Sequence, residues 1–245
     1  IAANPDGIAI MGHPGDDAYR PFVEEAVAKG IIVTSQNATL PGLQAEFASQ
    51  GFGYVGQELY ASGWTLGQGI LQRANVKPGD HALVWGLKSQ PTRGQRTQGA
   101  IDALENGGLI VDYIEISAEV DKDAANGIPV IVGYLQANPN CKVVVTDHGN
   151  LTSAQQAYFE SAGYGPDEIY GAGFDLSPAT VESIKSGYTD LVLDQQPFLQ
   201  GFLPVMQIYL TKKFGFSGLH IDTGGGLIGP DNIDFIAPLA EKGIR

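Results

Sequence analysis

The stretch Cys141-Lys-Val-Val-Val-Thr146, followed at once by Asp147-His148-Gly149, decides the fold. Its apolar residues are consecutive, not alternating. A strand with one wet face alternates apolar and polar residues. A strand covered on both faces does not, and its usual setting is a parallel sheet between two layers of helices. Outward from this run the pattern repeats. Short β-rich apolar runs at 7–11, 31–35, 81–86, 109–116, 168–173, 189–194 and 218–221 alternate with segments of helical period at 16–29, 59–73, 94–106, 122–137, 152–161, 178–186, 197–213 and 232–241. The gaps between strands are about what a β–α–β crossover needs, so the expected class is doubly wound α/β. Residues 39–52, rich in Gly, Gln and Ala, follow neither period and lead to a short Tyr54-Val55-Gly56. A small extra strand, or a cover over a cleft, is expected there.

Composition narrows the function. The 245 residues are 43% hydrophobic, enough for one large core or two modest ones. With 14 basic against 27 acidic residues the formal net charge is −13. This argues against nucleic acid and against an anionic membrane surface as partners, and it suits a soluble monomer. The single cysteine, Cys141, excludes an internal disulfide and a thiolate metal cluster; inside its apolar run it is expected to be a buried thiol. No stretch approaches the ~20 apolar residues of a membrane span.

Formal motif matches carry little. Gly224-Gly-Gly226-Leu-Ile-Gly229 lacks the following strand and distal acidic residue of a dinucleotide site. Asn37-Ala-Thr39 and Asn150-Leu-Thr152 are chance-level sequons. Asp121-Lys-Asp123 begins like a calcium loop without the glutamate at position twelve. No metal, no cofactor and no catalytic group is expected.

In open α/β sheets ligands sit beyond the carboxyl ends of the strands. Here those ends carry Gly12-His13, Gln36-Asn37, Trp85-Gly86 with Arg93 and Arg96 opening the next helix, Asp147-His148, Phe174-Asp175 and Asp194-Gln195-Gln196. Carboxylates and amides that accept, beside guanidinium and amide groups that donate, suit vicinal hydroxyls, each of which does both. Trp85 and Phe174 are the rings available to cover the apolar face of a sugar.

The same residues carry a resemblance. Pro5-Asp-Gly-Ile-Ala-Ile10, Ala28-Lys-Gly-Ile-Ile-Val33 ending in Asn37, Thr146-Asp-His148, Ala172-Gly-Phe-Asp175, Leu193-Asp-Gln-Gln-Pro-Phe-Leu-Gln-Gly201 and Gly218-Leu-His-Ile-Asp-Thr-Gly224 occur in the order seen in type I periplasmic sugar-binding proteins of the ribose-binding, simple-sugar branch. The resemblance implies two Rossmann-like lobes with parallel sheets, joined by a three-crossing hinge. One lobe is expected from 1–56 plus 196–221, the other from 57–195 plus 222–245. It further implies a monosaccharide or polyol held in an interlobe cleft and delivered to a membrane ABC transporter permease, in the periplasm or lipid-anchored outside the cell. Carried over residue by residue, the ligand contacts are Asn37, Arg96 (with Arg93 as substitute or partner), His148, Asp175 and Gln195, with Trp85 and Phe174 as walls. Relative to the family, two β–α units before Pro5 are missing, roughly 60 residues at ~30 per unit, which is expected to leave apolar edges uncovered.

Each residue also has a plainer role open to it. Asn37 could close an Asx turn, Asp175 could cap the helix at Ser177-Pro178, Gln195 could serve the turn before Pro197, and Arg96 could be an exposed helix arginine. Two other functions compete. The ligand-sensing domain of a LacI-type transcriptional regulator shares the fold, and Asp147, Asp175 and Asp194 could form a glycosidase-type carboxylate pair.

Overall fold

The computed structural model describes residues 1–245. The elements run β1 (Gly7–Met11), α1 (Asp16–Ala28), β2 (Ile32–Gln36), α2 (Pro41–Phe47), β3 (Tyr54–Gly56), α3 (Leu59–Arg73), β4 (His81–Gly86), α4 (Gly94–Asn106), β5 (Ile110–Glu115) and α5 (Ala118–Lys122). They continue as α6 (Ile128–Ala137), β6 (Cys141–Thr146), α7 (Gly149–Thr152), α8 (Gln155–Ala162), β7 (Tyr170–Phe174), α9 (Pro178–Lys185), β8 (Leu191–Asp194), α10 (Pro197–Phe214), β9 (His220–Asp222), β10 (Gly226–Ile228) and α11 (Ile233–Ala240). The chain divides into two compact units: Ile1–Leu59, Pro91–Arg93 and Gln196–Gly224 form unit 1; Tyr60–Gln90, Gly94–Gln195 and Gly225–Arg245 form unit 2.

Unit 1 holds a four-stranded parallel sheet in the order β1-β2-β3-β9. Its core is Val23, Ala26, Ile31, Val33, Leu40, Leu43 and Phe52, under α1 and α2. β1 is an edge strand, and Ile1, Ile8, Ile10, Tyr19 and Phe22 line an apolar hollow of about 200 Å³ beside it. α10 leaves Phe198, Phe202, Val205 and Tyr209 about half or more exposed.

Unit 2 holds a six-stranded sheet in the order β10-β8-β7-β6-β4-β5. One core layer is built on Leu83, Trp85, Val144, Leu151, Tyr158 and Phe159, the other on Leu66, Ile70, Val84, Val143, Val145, Phe174, Leu191 and Leu193. Successive valines of β6 thus enter opposite cores, which is why that strand reads as one unbroken apolar run. Cys141 opens β6 as a buried free thiol, and burial pushes it up to about 11.

Three expectations are corrected. Residues 39–52 hold no extra strand and do have helical structure; α2 and a 3-10 turn at Ala48–Gln50 occupy them. The helix expected at 122–137 is broken at Asp123, whose extended backbone ends α5 and whose carboxylate accepts from Ala125 N (3.0 Å) to start a 3-10 turn before α6. The sheet of unit 2 is not purely parallel, because β10 pairs antiparallel with β8. An antiparallel edge strand on a parallel sheet is a common termination. No helix is long and apolar enough to cross a membrane.

Candidate functional site

At the carboxyl ends of the unit 1 strands, polar side chains form a continuous chain. His13, after β1, lies with Nε2 2.8 Å from Asn37 Oδ1. That oxygen only accepts, so Nε2 carries the proton. Asn37 Nδ2 donates to Gln200 Oε1 (2.9 Å) in the first turn of α10, and Gln200 Nε2 donates to Thr223 Oγ1 (3.1 Å) just past β9. Gln196 Nε2 donates to the Thr223 carbonyl (3.0 Å). Asn37 has φ 63, a left-handed conformation that Asn tolerates better than most residues. Its own N–H bonds Val55 O (3.1 Å), so the backbone is tied to β3 while the side chain is turned into the polar chain. Asn37 is therefore more than an Asx-turn residue. Beneath it the Tyr54 hydroxyl lies 2.6 Å from the Gln57 carbonyl and 3.2 Å from that of Asn37. Burial first, then the Glu58 and Asp222 carboxylates, push that phenol far above its ordinary value.

Unit 2 gathers charge at its strand ends. Asp147, the residue after β6, is fully buried and receives Arg96 Nε at 2.5 Å on Oδ1, Thr97 Oγ1 at 2.7 Å and Leu87 N at 3.3 Å on Oδ2. Arg96 Nη2 also donates to the Asp147 carbonyl. Burial works against the carboxylate, but the Arg96 guanidinium, His148 and the Thr97 hydroxyl outweigh it and hold the carboxyl below its ordinary value. The Phe174 ring covers one face of the guanidinium, 4.2 Å from Cζ to the ring centroid. Arg96 is 3% exposed and no exposed helix arginine. Its position depends on a close crossing of α3 and α4. A Cβ on Gly63 would stand 2.0 Å from the Arg96 carbonyl oxygen, and one on Gly99 2.1 Å from that of Tyr60, so only glycine fits at either contact.

His148 is buried, with Nε2 3.4 Å from Asp121 and Nδ1 3.8 Å from Asp147. Asp175 follows β7 with φ 70, its N–H bonded to Leu193 O (3.0 Å). It is not the cap of α9, because Ser177 Oγ accepts from Thr180 N (3.1 Å) in that role. Asp194 ends β8 wholly buried and receives Arg245 Nη1 at 2.7 Å; Gln195 beside it is buried too. Arg93 falls in unit 1, through the segment Pro91–Arg93, while Arg96 three residues on belongs to unit 2.

Two expected walls are corrected. Trp85 is 1% exposed and lies in the core of unit 2, its ring 5.6 Å from that of Tyr158. Phe174 is equally buried and lies against Arg96. Neither ring has a face open for a sugar, because both residues are on β-strands whose side chains enter the helix-covered layers. Several polar residues of these networks were not among the expected contacts, among them His13, Gln200, Thr223 and Asp147. Each sits at or next to a strand end or helix start, and position was the one signal that pointed to them.

Comparison with known proteins bears on the fold and the family. A xylose/arabinose-binding protein of Sulfolobus acidocaldarius is 30% identical over 246 residues; the match takes in 95% of this chain, which spans 59% of that relative's length. A carbohydrate transporter of Acidothermus cellulolyticus, solved with myo-inositol, matches with TM-score 0.80 at 22% identity, over 100% of this chain and 81% of its own. A periplasmic solute-binding protein of Actinobacillus succinogenes, solved with D-allose, matches with TM-score 0.81 at 20% identity, over 96% and 80%. The family model described as a periplasmic binding protein domain matches residues 1–213, and the chain belongs to that family.

Proposed function

We propose that this protein is a solute-binding protein that takes a monosaccharide or polyol at the carboxyl ends of its strands and hands it to a membrane ABC transporter, acting in the periplasm or anchored outside the cell. The observation that carries this reading is the chemistry of the strand-end side chains. Amides of Asn37, Gln195 and Gln200, the guanidinium of Arg96 and the carboxylate of Asp175 offer paired donors and acceptors, the combination that neutral vicinal hydroxyls require. The names of the relatives support it: xylose or arabinose for the archaeal protein, myo-inositol and D-allose in the solved structures.

A catalytic role fits the groups poorly. A glycosidase needs one carboxyl kept protonated beside a second that is ionised. Here Asp147 is held ionised by Arg96, and Asp194 is paired with Arg245.

The test is thermal melting of the purified protein against pentoses, hexoses and linear and cyclic polyols. A ligand that binds the native state raises the melting temperature by mass action, about 2.7 kcal/mol at a hundredfold excess over Kd. A rise with one stereochemical class, lost in Asp175→Ala, is the expected outcome. No rise with any carbohydrate rejects the reading.

A further inference from the structure

The guanidinium groups of unit 2 near the strand ends are already engaged by carboxylates of the same unit. Arg96 gives Nε to Asp147 Oδ1 and Nη2 to the Asp147 carbonyl; Arg245 gives Nη1 to Asp194. Arg93, in unit 1, is engaged as well. The carboxylates Asp147, Asp175 and Asp194 outnumber Arg96 and Arg245 among these groups. Within unit 2 an anionic ligand would therefore meet no uncompensated arginine, and would add its charge to strand-end groups in which carboxylates outnumber arginines. The usual way to hold a carboxylate or phosphate is a guanidinium fork presenting two parallel donors. Asp147 occupies one such edge: with Nε and one Nη2 hydrogen turned toward it and Phe174 over one face, Arg96 keeps its outer edge, the Nη1 hydrogens and the second Nη2 hydrogen, for a ligand, with its charge already paired. Donors whose charge is already paired suit neutral hydroxyl oxygens.

We propose that Asp147 is a positioning residue that selects neutral over anionic carbohydrates: it holds Arg96 by its Nε edge and cancels its charge. Thr97 and the Leu87 N–H share the task by fixing the second carboxylate oxygen. This rests on the carbohydrate-binding reading above.

The experiment is calorimetric titration with two isosteric series: D-xylose, D-glucose and D-glucuronate, which share one ring stereochemistry, and L-arabinose, D-galactose and D-galacturonate, which share another. The protein is expected to bind a neutral member of one series at least about tenfold more tightly than that series' uronate, the size of one charge-assisted hydrogen bond made or lost. In Asp147→Asn the neutral sugar weakens by about tenfold to a hundredfold, and the neutral-to-uronate ratio shrinks or inverts because the charge of Arg96 is no longer compensated. A purely structural role would lower both affinities together and leave the ratio in place.

Equal binding of uronate and neutral sugar by the wild type, or an unchanged ratio in Asp147→Asn, overturns the assignment while the carbohydrate reading stands. Binding of no member of either series, together with no binding of any sugar or polyol of the melting panel, overturns the carbohydrate reading and this assignment with it. Should Asp147→Asn fail to fold, Thr97→Val loosens the same carboxylate more gently. A fall in the ratio supports the assignment, and an unchanged ratio overturns it.

Discussion

The strand ends of the two units solve one problem in different ways. In unit 1 the side chains His13–Asn37–Gln200–Thr223 are joined to one another by hydrogen bonds. In unit 2 the centre is an ion pair, Arg96–Asp147, both partners buried. Neutral networks contribute on the order of 1 kcal/mol per bond and tolerate the loss of a member. A buried pair is different. Its attraction roughly offsets its desolvation, so its net contribution is small, yet removal of one partner strands a charge. The two units should therefore answer mutation very differently although both look like hydrogen-bonded polar clusters.

The largest effect is expected at the pair. Asp147→Ala should destabilise the protein by about 3–5 kcal/mol, whereas Arg96→Met combined with Asp147→Leu should cost less than either single change. Denaturant unfolding of the three variants checks this, and additive costs would break the distinction between the units. The pair also has a pH signature. Because the folded carboxyl lies below its ordinary value of about 3.9, its contribution is complete above that value and is lost as pH falls through the folded one. Urea midpoints from pH 6 down to pH 3 should therefore drop more steeply for the wild type than for Asp147→Asn.

In unit 1, Asn37→Ala should cost about 2 kcal/mol, from two lost hydrogen bonds and a left-handed backbone that Ala adopts poorly. Asn37→Asp, which keeps the left-handed tolerance and the acceptor, should cost less. A cost for Asn37→Ala as large as for Asp147→Ala would erase the contrast.

A smaller effect of opposite sign lies at the other end of the unit 2 strands. Asp190, before β8, is pushed up to about 6, by burial first and by neighbouring Asp167, against the hydrogen bond it accepts from Gly171 N. The folded state takes up this proton more readily than the unfolded chain, so stability gains as pH falls from about 6 to 4. Asp190→Asn should stabilise by about 1 kcal/mol at pH 7, after allowance for its partial exposure, and by nothing at pH 4. Melting curves at the two pH values test it. The smallest expected effect is on affinity: Trp85→Phe should alter sugar binding by no more than about a factor of two, well under 1 kcal/mol, since the ring lies in the core.

The sequence made the framework legible because its signals are local. The unbroken valines of β6 report burial on both faces, and the long helices α3, α4 and α10 report themselves by length. What it hid depends on distant partners. Helix α2 has seven residues, one glycine among them and one buried residue, Leu43. Its first N–H groups are satisfied by Asp16, which accepts from Gly42 N (3.1 Å) and Leu43 N (2.9 Å) across more than twenty residues. Strand β10 is three residues long and exists through its pairing with β8.

At the site the same division holds. That Asn37 and Asp175 would stand just after strands and Arg96 at a helix start was legible in the sequence. That Arg96 would select Asp147, 51 residues away, and that Trp85 and Phe174 would turn into the core were settled by packing that no local pattern encodes.

The central claim, that these strand-end side chains bind a neutral carbohydrate, is tested most directly by titrating the best sugar of the melting panel into wild type, Asn37→Ala and Asp175→Ala in a calorimeter. One site per chain is predicted for the wild type, with affinity lowered about tenfold or more in each variant while both remain folded. Unchanged affinity in both variants would place the sugar elsewhere and contradict the account.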